Sequence, residues 1–251
     1  MRYLVSSDLH YGLAQLDWIA EQASEFDAVI LAGDHLDVAG HADVNAQIAM
    51  LTAYLGSLAD TTTTIANSGN HDLTARREHG EKAAVWLDHI DERVATDGAA
   101  ALVGTDLISV CAWWEGPVTQ SQLEAQLCEQ AEQRPEVGYW IWVYHSPPDE
   151  SPTSWSGKRH YGDDVLNRLI AEHHPDIVLT GHVHESPFHP DGSWHDRIGR
   201  TLVCNAGRQL GPVPAHLIID TEAGDVMWWS FEGSETIPLR RTDIDIDDGD
   251  Q

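Results

Sequence analysis

The residues of this 251-residue chain that could do chemistry fall into five short blocks. They are Asp8-x-His10, Gly33-Asp34-His35-Leu36-Asp37, Gly69-Asn70-His71-Asp72, an isolated His145, and Gly181-His182-Val183-His184. Carboxylates, imidazoles and a carboxamide all bind metal ions. On an extended segment residues i and i+2 point the same way, so Asp8 and His10 can reach one ion together. Taken singly, each block has a plain structural explanation: Asp-x-His is commonly a turn, Gly-Asp commonly ends a strand, and His-x-His also occurs in solvated loops. Asp37 in particular could be a carboxylate at the amino terminus of a helix starting near His41–Asn45. What speaks for chemistry is that every block follows an apolar run.

Those runs read as strands, at Arg2–Ser6, Ala28–Leu31, Thr62–Ala66, Leu107–Cys111, Tyr139–Tyr144, Ile177–Leu179, Thr201–Cys204, His216–Ile219 and Val226–Phe231. Between the early ones lie amphipathic stretches, Leu13–Ser24 and Asn45–Leu58, with Leu16, Ile19, Ala20 and Ala23 at helical spacing in the first. The alternation predicts an α/β layer fold. After Gly181 strands and turns continue without a helix, which predicts an antiparallel portion closing a mixed sheet. Binding sites of open α/β sheets lie at the carboxyl ends of their strands, so the five blocks should meet in one crevice. Residues 146–162, with Pro147-Pro148, Pro152 and two glycines, read as a long loop of the kind that often serves function.

In order and content the blocks resemble the calcineurin-like metallophosphoesterases, whose pattern is Asp-x-His, Gly-Asp-x-x-Asp, Gly-Asn-His-Asp or -Glu, a single His, and Gly-His-x-His. All five stand intact between residues 8 and 184. The resemblance implies a two-sheet mixed β-sandwich flanked by helices, a four-layer α/β/β/α fold. It implies Asp8, His10 and His184 on one metal, Asn70, His145 and His182 on a second, and Asp34 bridging both, with a hydroxide held between the ions attacking phosphorus. His71 would give a hydrogen bond or proton to the leaving oxygen, Asp72 would orient or charge-stabilise His71, and Asp37 would support the ligands. Gly33, Gly69 and Gly181 would make sharp turns that aim the ligands inward. A donor set with imidazoles but no thiolate suits two divalent transition ions, Mn, Fe, Co, Ni or Zn, with Mn or Fe/Zn favoured, and is too nitrogen-rich for Ca or Mg.

Composition narrows the partners. With 14 Lys and Arg against 41 Asp and Glu the formal charge is −27, which speaks against long duplex nucleic acid and anionic membrane surfaces. Two ions carry about four positive charges against two ligand carboxylates, so a small phosphate ester can still be attracted locally. The three cysteines are odd in number and widely spaced, which fits a reducing, cytoplasmic compartment. No apolar run approaches the ~18 residues of a membrane span. One domain is expected over residues 1–241, followed by an acidic, frayed tail, 242–251, with five Asp. The oligomeric state is left open.

For the substrate, Asp72 after Gly-Asn-His resembles phosphodiesterases of the family, whereas its protein Ser/Thr phosphatases carry Glu there. The expectation is a small phosphodiester, such as a cyclic nucleotide or nucleotide derivative. The alternatives are a phosphomonoesterase of the same fold and a DNA-repair-type nuclease, the latter disfavoured by the acidic surface. A non-catalytic scaffold would show loss of His71 or of several ligands, and none is lost. Candidate phosphate clamps are Arg76 and Arg77, Lys158 and Arg159, and Arg208 after Asn205-Ala206-Gly207. The tryptophans read as core or sheet-face residues, except Trp155, placed by the long loop where it could stack on a base.

Overall fold

A computed structural model describes residues 1–240; the acidic tail lies outside the described residues. In chain order the strands are β1 (Arg2–Ser6), β2 (Ala28–Ala32), β3 (Thr63–Asn67), β4 (Ala75–Arg76), β5 (Lys82–Ala83), β6 (Val94–Ala95), β7 (Ala100–Val103), β8 (Asp106–Val110), β9 (Trp140–His145), β10 (Ile177–Thr180), β11 (His195–Ile198), β12 (Thr201–Asn205), β13 (His216–Asp220), β14 (Asp225–Ser230) and β15 (Gly233–Pro238). The α-helices are α1 (Leu13–Gln22), α2 (Val44–Ala59), α3 (Pro117–Ala131) and α4 (Asp164–His173).

Two mixed sheets result, one ordered β15-β14-β13-β1-β2-β3-β6 and the other β11-β12-β10-β9-β8-β7, beside a small β4-β5 hairpin. In the first, β1, β2, β3 and β6 run parallel, and β13 begins an antiparallel extension at the β1 edge. In the second, β8, β9, β10 and β12 run parallel, with β7 and β11 antiparallel at the edges. The expected antiparallel portion after Gly181 is therefore divided between both sheets.

Side-chain alternation explains the layering. Tyr3 and Val5 of β1 enter an apolar layer with Ile30, Ile65, Ile108, Ile141, Val143 and Leu179, which joins the sheets face to face. Leu4, Val29 and Leu31 point the other way and pack on Leu16, Ile19, Leu51 and Leu55 of α1 and α2. On the far side Trp140, Trp142 and Val178 pack on Leu123 and Leu127 of α3 and Leu166 and Leu169 of α4. The order is α/β/β/α, as the motif resemblance implied. Among the described residues no helix is long and apolar enough to cross a membrane.

Candidate metal centre

The parallel strands of both sheets deliver their carboxyl ends to one place. β1 runs into Asp8 and His10, β2 into Asp34, β3 into Asn70, β9 ends on His145, and β10 runs into His182 and His184. The ligand atoms form two groups, Asp8, His10, Asp34 and His184, and Asp34, His145 and His182, each with its atoms within 4.8 Å of one another. Asp34 belongs to both. Asn70 joins the second, its Oδ1 2.9 Å from His182 Nδ1.

The backbone is distorted to make this possible. Asp8 (φ 56°), His10 (φ 42°), Asp34 (φ 55°), His145 (φ 58°) and His182 (φ 67°) all occupy the left-handed region, which costs on the order of 1–3 kcal/mol per non-glycine residue. The motif glycines serve also by leaving space. Only Gly33 has positive φ; a Cβ there would fall 2.3 Å from His145 Nδ1, one on Gly69 2.2 Å from Asp34 Oδ1, and one on Gly181 2.4 Å from Asp8 Oδ2.

Hydrogen bonds orient the imidazoles. His145 Nδ1 lies 2.7 Å from the Ala32 carbonyl and His10 Nδ1 3.2 Å from the Leu36 carbonyl, so the Nε2 atoms point into the centre. His145 Nε2 is fully buried and finds no hydrogen-bond partner, although Asp34 Oδ2 is 3.4 Å away and Asp8 Oδ1 4.0 Å. An orphaned ring nitrogen facing two buried carboxylates fits a divalent cation.

The electrostatics agree. Burial alone would lower His145, but Asp34 and Asp8 reverse this and raise it to about 9. His184 is likewise raised against burial by its hydrogen bond to Asp8. Burial holds His10 and His182 down at about 4, so they stay neutral and able to donate a lone pair. Asp34 and Asp8 titrate below the usual carboxylate range: burial opposes this, but His145 for Asp34 and His184 for Asp8 outweigh it. Without metal, protonation of His145, and the same upward pull on His184, offsets the charge of the two buried carboxylates.

The remaining expected residues divide. His71 lies at the centre, its Nε2 4.0 Å from Asp34 Oδ2, its ring edge-on to His10 at 4.7 Å, and its side chain 31% exposed. Asp72 is fully buried but does not take the expected place on the His71 ring, whose Nδ1 has no partner. Its carboxylate instead accepts from the backbone N–H groups of His35, Leu36 and Gly69. Asp37 accepts from Ala39 N–H, while the amino terminus of α2 is capped by Asp43. Arg77 is paired with Asp88, Arg76 bonds the Gly80 carbonyl, Lys158 is exposed, and Arg159 is exposed over the Tyr161 ring. Arg208 is the candidate cation whose charge is felt at the centre, on both His10 and His184, and its backbone N–H bonds the His184 carbonyl.

Two further residues emerge from the three-dimensional arrangement. Trp113 is not a core residue; its ring lies 5.3 Å from that of His182 and 5.7 Å from that of His145. Asn205, fully buried at the end of β12, donates to the carbonyls of Gly181, Val183 and Thr153 and accepts from Gly207 N–H, bracing the His182–His184 turn. Trp155 packs on His160 within the long loop. The one sequence signal for Asn205 was its place directly after a strand, where ligands also sit.

Comparison with known proteins places the fold. The purple acid phosphatase PPD1 from yellow lupin (Lupinus luteus) seeds superposes with a TM-score of 0.60 at 14% identity, over 95% of this chain and 53% of that one. GAP50, the anchor in the inner membrane complex of Plasmodium, gives 0.58 at 11%, over 96% and 89%. TT1561 of Thermus thermophilus gives 0.55 at 16%, over 95% and 99%. At such identities the likeness establishes the fold alone. No curated protein matches the chain. The family model described as calcineurin-like phosphoesterase matches residues 1–186, which is most of the sequence and includes every motif block. The chain belongs to the calcineurin-like phosphoesterases.

Proposed function

We propose that the chain is a dinuclear metal-dependent phosphodiesterase acting on a small phosphodiester. The observation that carries this reading is the sharing of Asp34 between two ligand groups, one with Asp8, His10 and His184, the other with His145, His182 and Asn70. Two divalent transition ions held there, Mn or an Fe/Zn pair by donor type, would supply Lewis acidity that neutralises phosphoryl oxygens and lowers the pKa of the attacking water. His71, partly exposed beside Asp34, faces the site as the donor to the leaving oxygen. Arg208, whose charge acts on His10 and His184, would be the cation that meets a phosphoryl oxygen.

A diester is favoured over a monoester for two reasons. Asp72 stands after Gly-Asn-His, and the other candidate cations, Arg76, Arg77, Lys158 and Arg159, are engaged or exposed elsewhere, which leaves Arg208 to meet a monoanion rather than a dianion. Three free cysteines, two of them buried, fit the reducing cytoplasm. The test is a hydrolysis panel after reconstitution with Mn²⁺, Zn²⁺ or Fe²⁺, comparing bis(p-nitrophenyl) phosphate, p-nitrophenyl phosphate, cyclic nucleotides and single-stranded DNA. Chelator-sensitive turnover with the diester ahead of the monoester is expected. Faster monoester hydrolysis would overturn the diester assignment, and no metal-dependent turnover would overturn the reading as a whole.

A further inference from the structure

Beside the second ligand group the surface sinks into a pocket of about 280 Å³ that His182 helps to line. Four aromatic side chains, Trp113, Trp114, Tyr144 and Tyr161, contribute to its walls. Asp163 and Asp164 are the charged residues of the lining, and no Lys or Arg belongs to it. Asp163 is buried, 8% exposed, yet its carboxylate is held by neutral donors, Trp114 Nε1–H and Tyr144 O–H on Oδ2 (both 2.9 Å) and Val165 N–H on Oδ1 (2.8 Å). No ion pair with it exists among the described residues. Its charge is stabilised but not cancelled, and Asp164 adds a second carboxylate at the exposed rim. The guanidinium nearby, Arg159, sits outside over the Tyr161 ring at 4.2 Å.

From this geometry we infer that the pocket receives one ester arm of the substrate and that this arm ends in an alkylammonium group. The inference rests on the phosphodiesterase reading and adds the class of alcohol. A ring face attracts a cation through its quadrupole, most strongly for Trp and when partly desolvated, and a carboxylate without a counter-ion reinforces the attraction. A nucleobase would stack equally well, but of the groups that could read its edges the indole N–H of Trp114 and the hydroxyl of Tyr144 are already committed to Asp163, which leaves Ser146, Tyr161 and Asp164. A quaternary ammonium asks for no hydrogen bond. A second phosphate would meet two carboxylates and is rejected. Hydrolysis would break one P–O bond, add the oxygen of water to phosphorus, and pass a proton to the departing alcohol.

The experiment compares, on the metal-loaded protein, p-nitrophenyl phosphorylcholine with its neutral isostere, p-nitrophenyl 3,3-dimethylbutyl phosphate, and with p-nitrophenyl thymidine 5′-phosphate. We expect kcat/KM for the cationic diester to exceed that for the isostere about tenfold, the order of a partly desolvated cation–π contact. Tyr161→Ala and Asp164→Asn should each reduce that ratio severalfold. A ratio near one, a ratio untouched by both variants, or preference for the thymidine diester would overturn the inference. If no diester is hydrolysed, the phosphodiesterase reading fails instead. Saturation-transfer NMR then decides the pocket separately: tetramethylammonium should bind and neopentyl alcohol should not, and absent or Tyr161-independent binding of the cation would overturn it.

Discussion

Replacing Asp72 with asparagine separates two accounts of that residue. If it orients His71, the change should lower turnover and leave the metal centre intact. The structure gives it other partners: the carboxylate accepts from His35 N–H at 3.0 Å, Leu36 N–H at 3.1 Å and Gly69 N–H at 2.9 Å, which ties the loop carrying Asp34 to the loop carrying Asn70. Asparagine offers one acceptor oxygen where aspartate has two and turns an NH₂ group toward at least one of these N–H donors. Leaving one buried N–H unsatisfied costs about 1–3 kcal/mol. Burial pushes the Asp72 carboxyl up, so removing its charge returns part of that cost, and a net loss of about 1–2 kcal/mol is expected. A metal centre whose supporting hydrogen bonds are altered loses affinity by about 10–100-fold. Urea unfolding reads the first quantity and chelator competition the second. At saturating metal the turnover number should stay much nearer the wild type than that of His71→Ala. An unchanged midpoint and metal affinity, with activity lost to the level of His71→Ala, would refute the clamp and restore the original role.

His71→Ala should keep full metal content by elemental analysis and lose about 10²–10⁴-fold in diester turnover; unchanged turnover would remove His71 from proton donation. Asp34→Asn should lose one or both ions, because the residue belongs to both ligand groups, and full occupancy would show that Asp34 does not bridge. Asp97 is pushed by burial up to about 7, against the hydrogen bond it accepts from Ser68 N–H. Between about pH 4 and 7 the folded state therefore keeps a proton that the unfolded chain has released, and stability falls as pH rises through that window. Asp97→Asn should accordingly stabilise the fold by about 1–3 kcal/mol at pH 8 and by almost nothing at pH 4; equal effects at both values in urea unfolding would contradict the assignment.

The parts of the centre legible in the sequence are those encoded locally. Asp-x-His, Gly-Asp and Gly-His-x-His each place ligands within a few residues of a strand end, and β1 and β9 were readable as buried apolar runs. The edge strands were not: β15 is exposed along nearly its whole length, and α3, rich in Gln and Glu, lacks a strong apolar stripe. The placement of Trp113 and the bracing role of Asn205 escaped for another reason. Each acts through a tertiary neighbour, Trp113 on the rings of His145 and His182 and Asn205 on the turn before His184, and no spacing records such contacts. A contact between Asp72 and the His71 ring was expected from adjacency in sequence, whereas the short 3₁₀ turn Asn70–Asp72 sends the Asp72 carboxylate to backbone N–H groups instead. Left-handed backbone at five ligands is equally invisible, since Asp and His carry no mark of the conformation the fold imposes.

The acidity of the chain and the chemistry of its centre can then be reconciled. Of the charge of −27, five Asp lie in the terminal segment, and Asp8 and Asp34 are buried where His145, its pKa raised to about 9, offsets them with a proton. Divalent ions entering the centre would displace that proton and reverse the local sign, so a single phosphate is attracted within an otherwise repulsive surface. On the proposed function a long polyanion would have to cross that surface and would be disfavoured at every further phosphate. The pocket beyond His182, lined by aromatic rings and carboxylates, continues the same logic: on the proposed function it would repel a second anionic group. Two adjacent regions of opposite sign match a short zwitterionic ester better than either a dianion or a polymer, and this is why the negative surface and the phosphate-binding centre do not conflict.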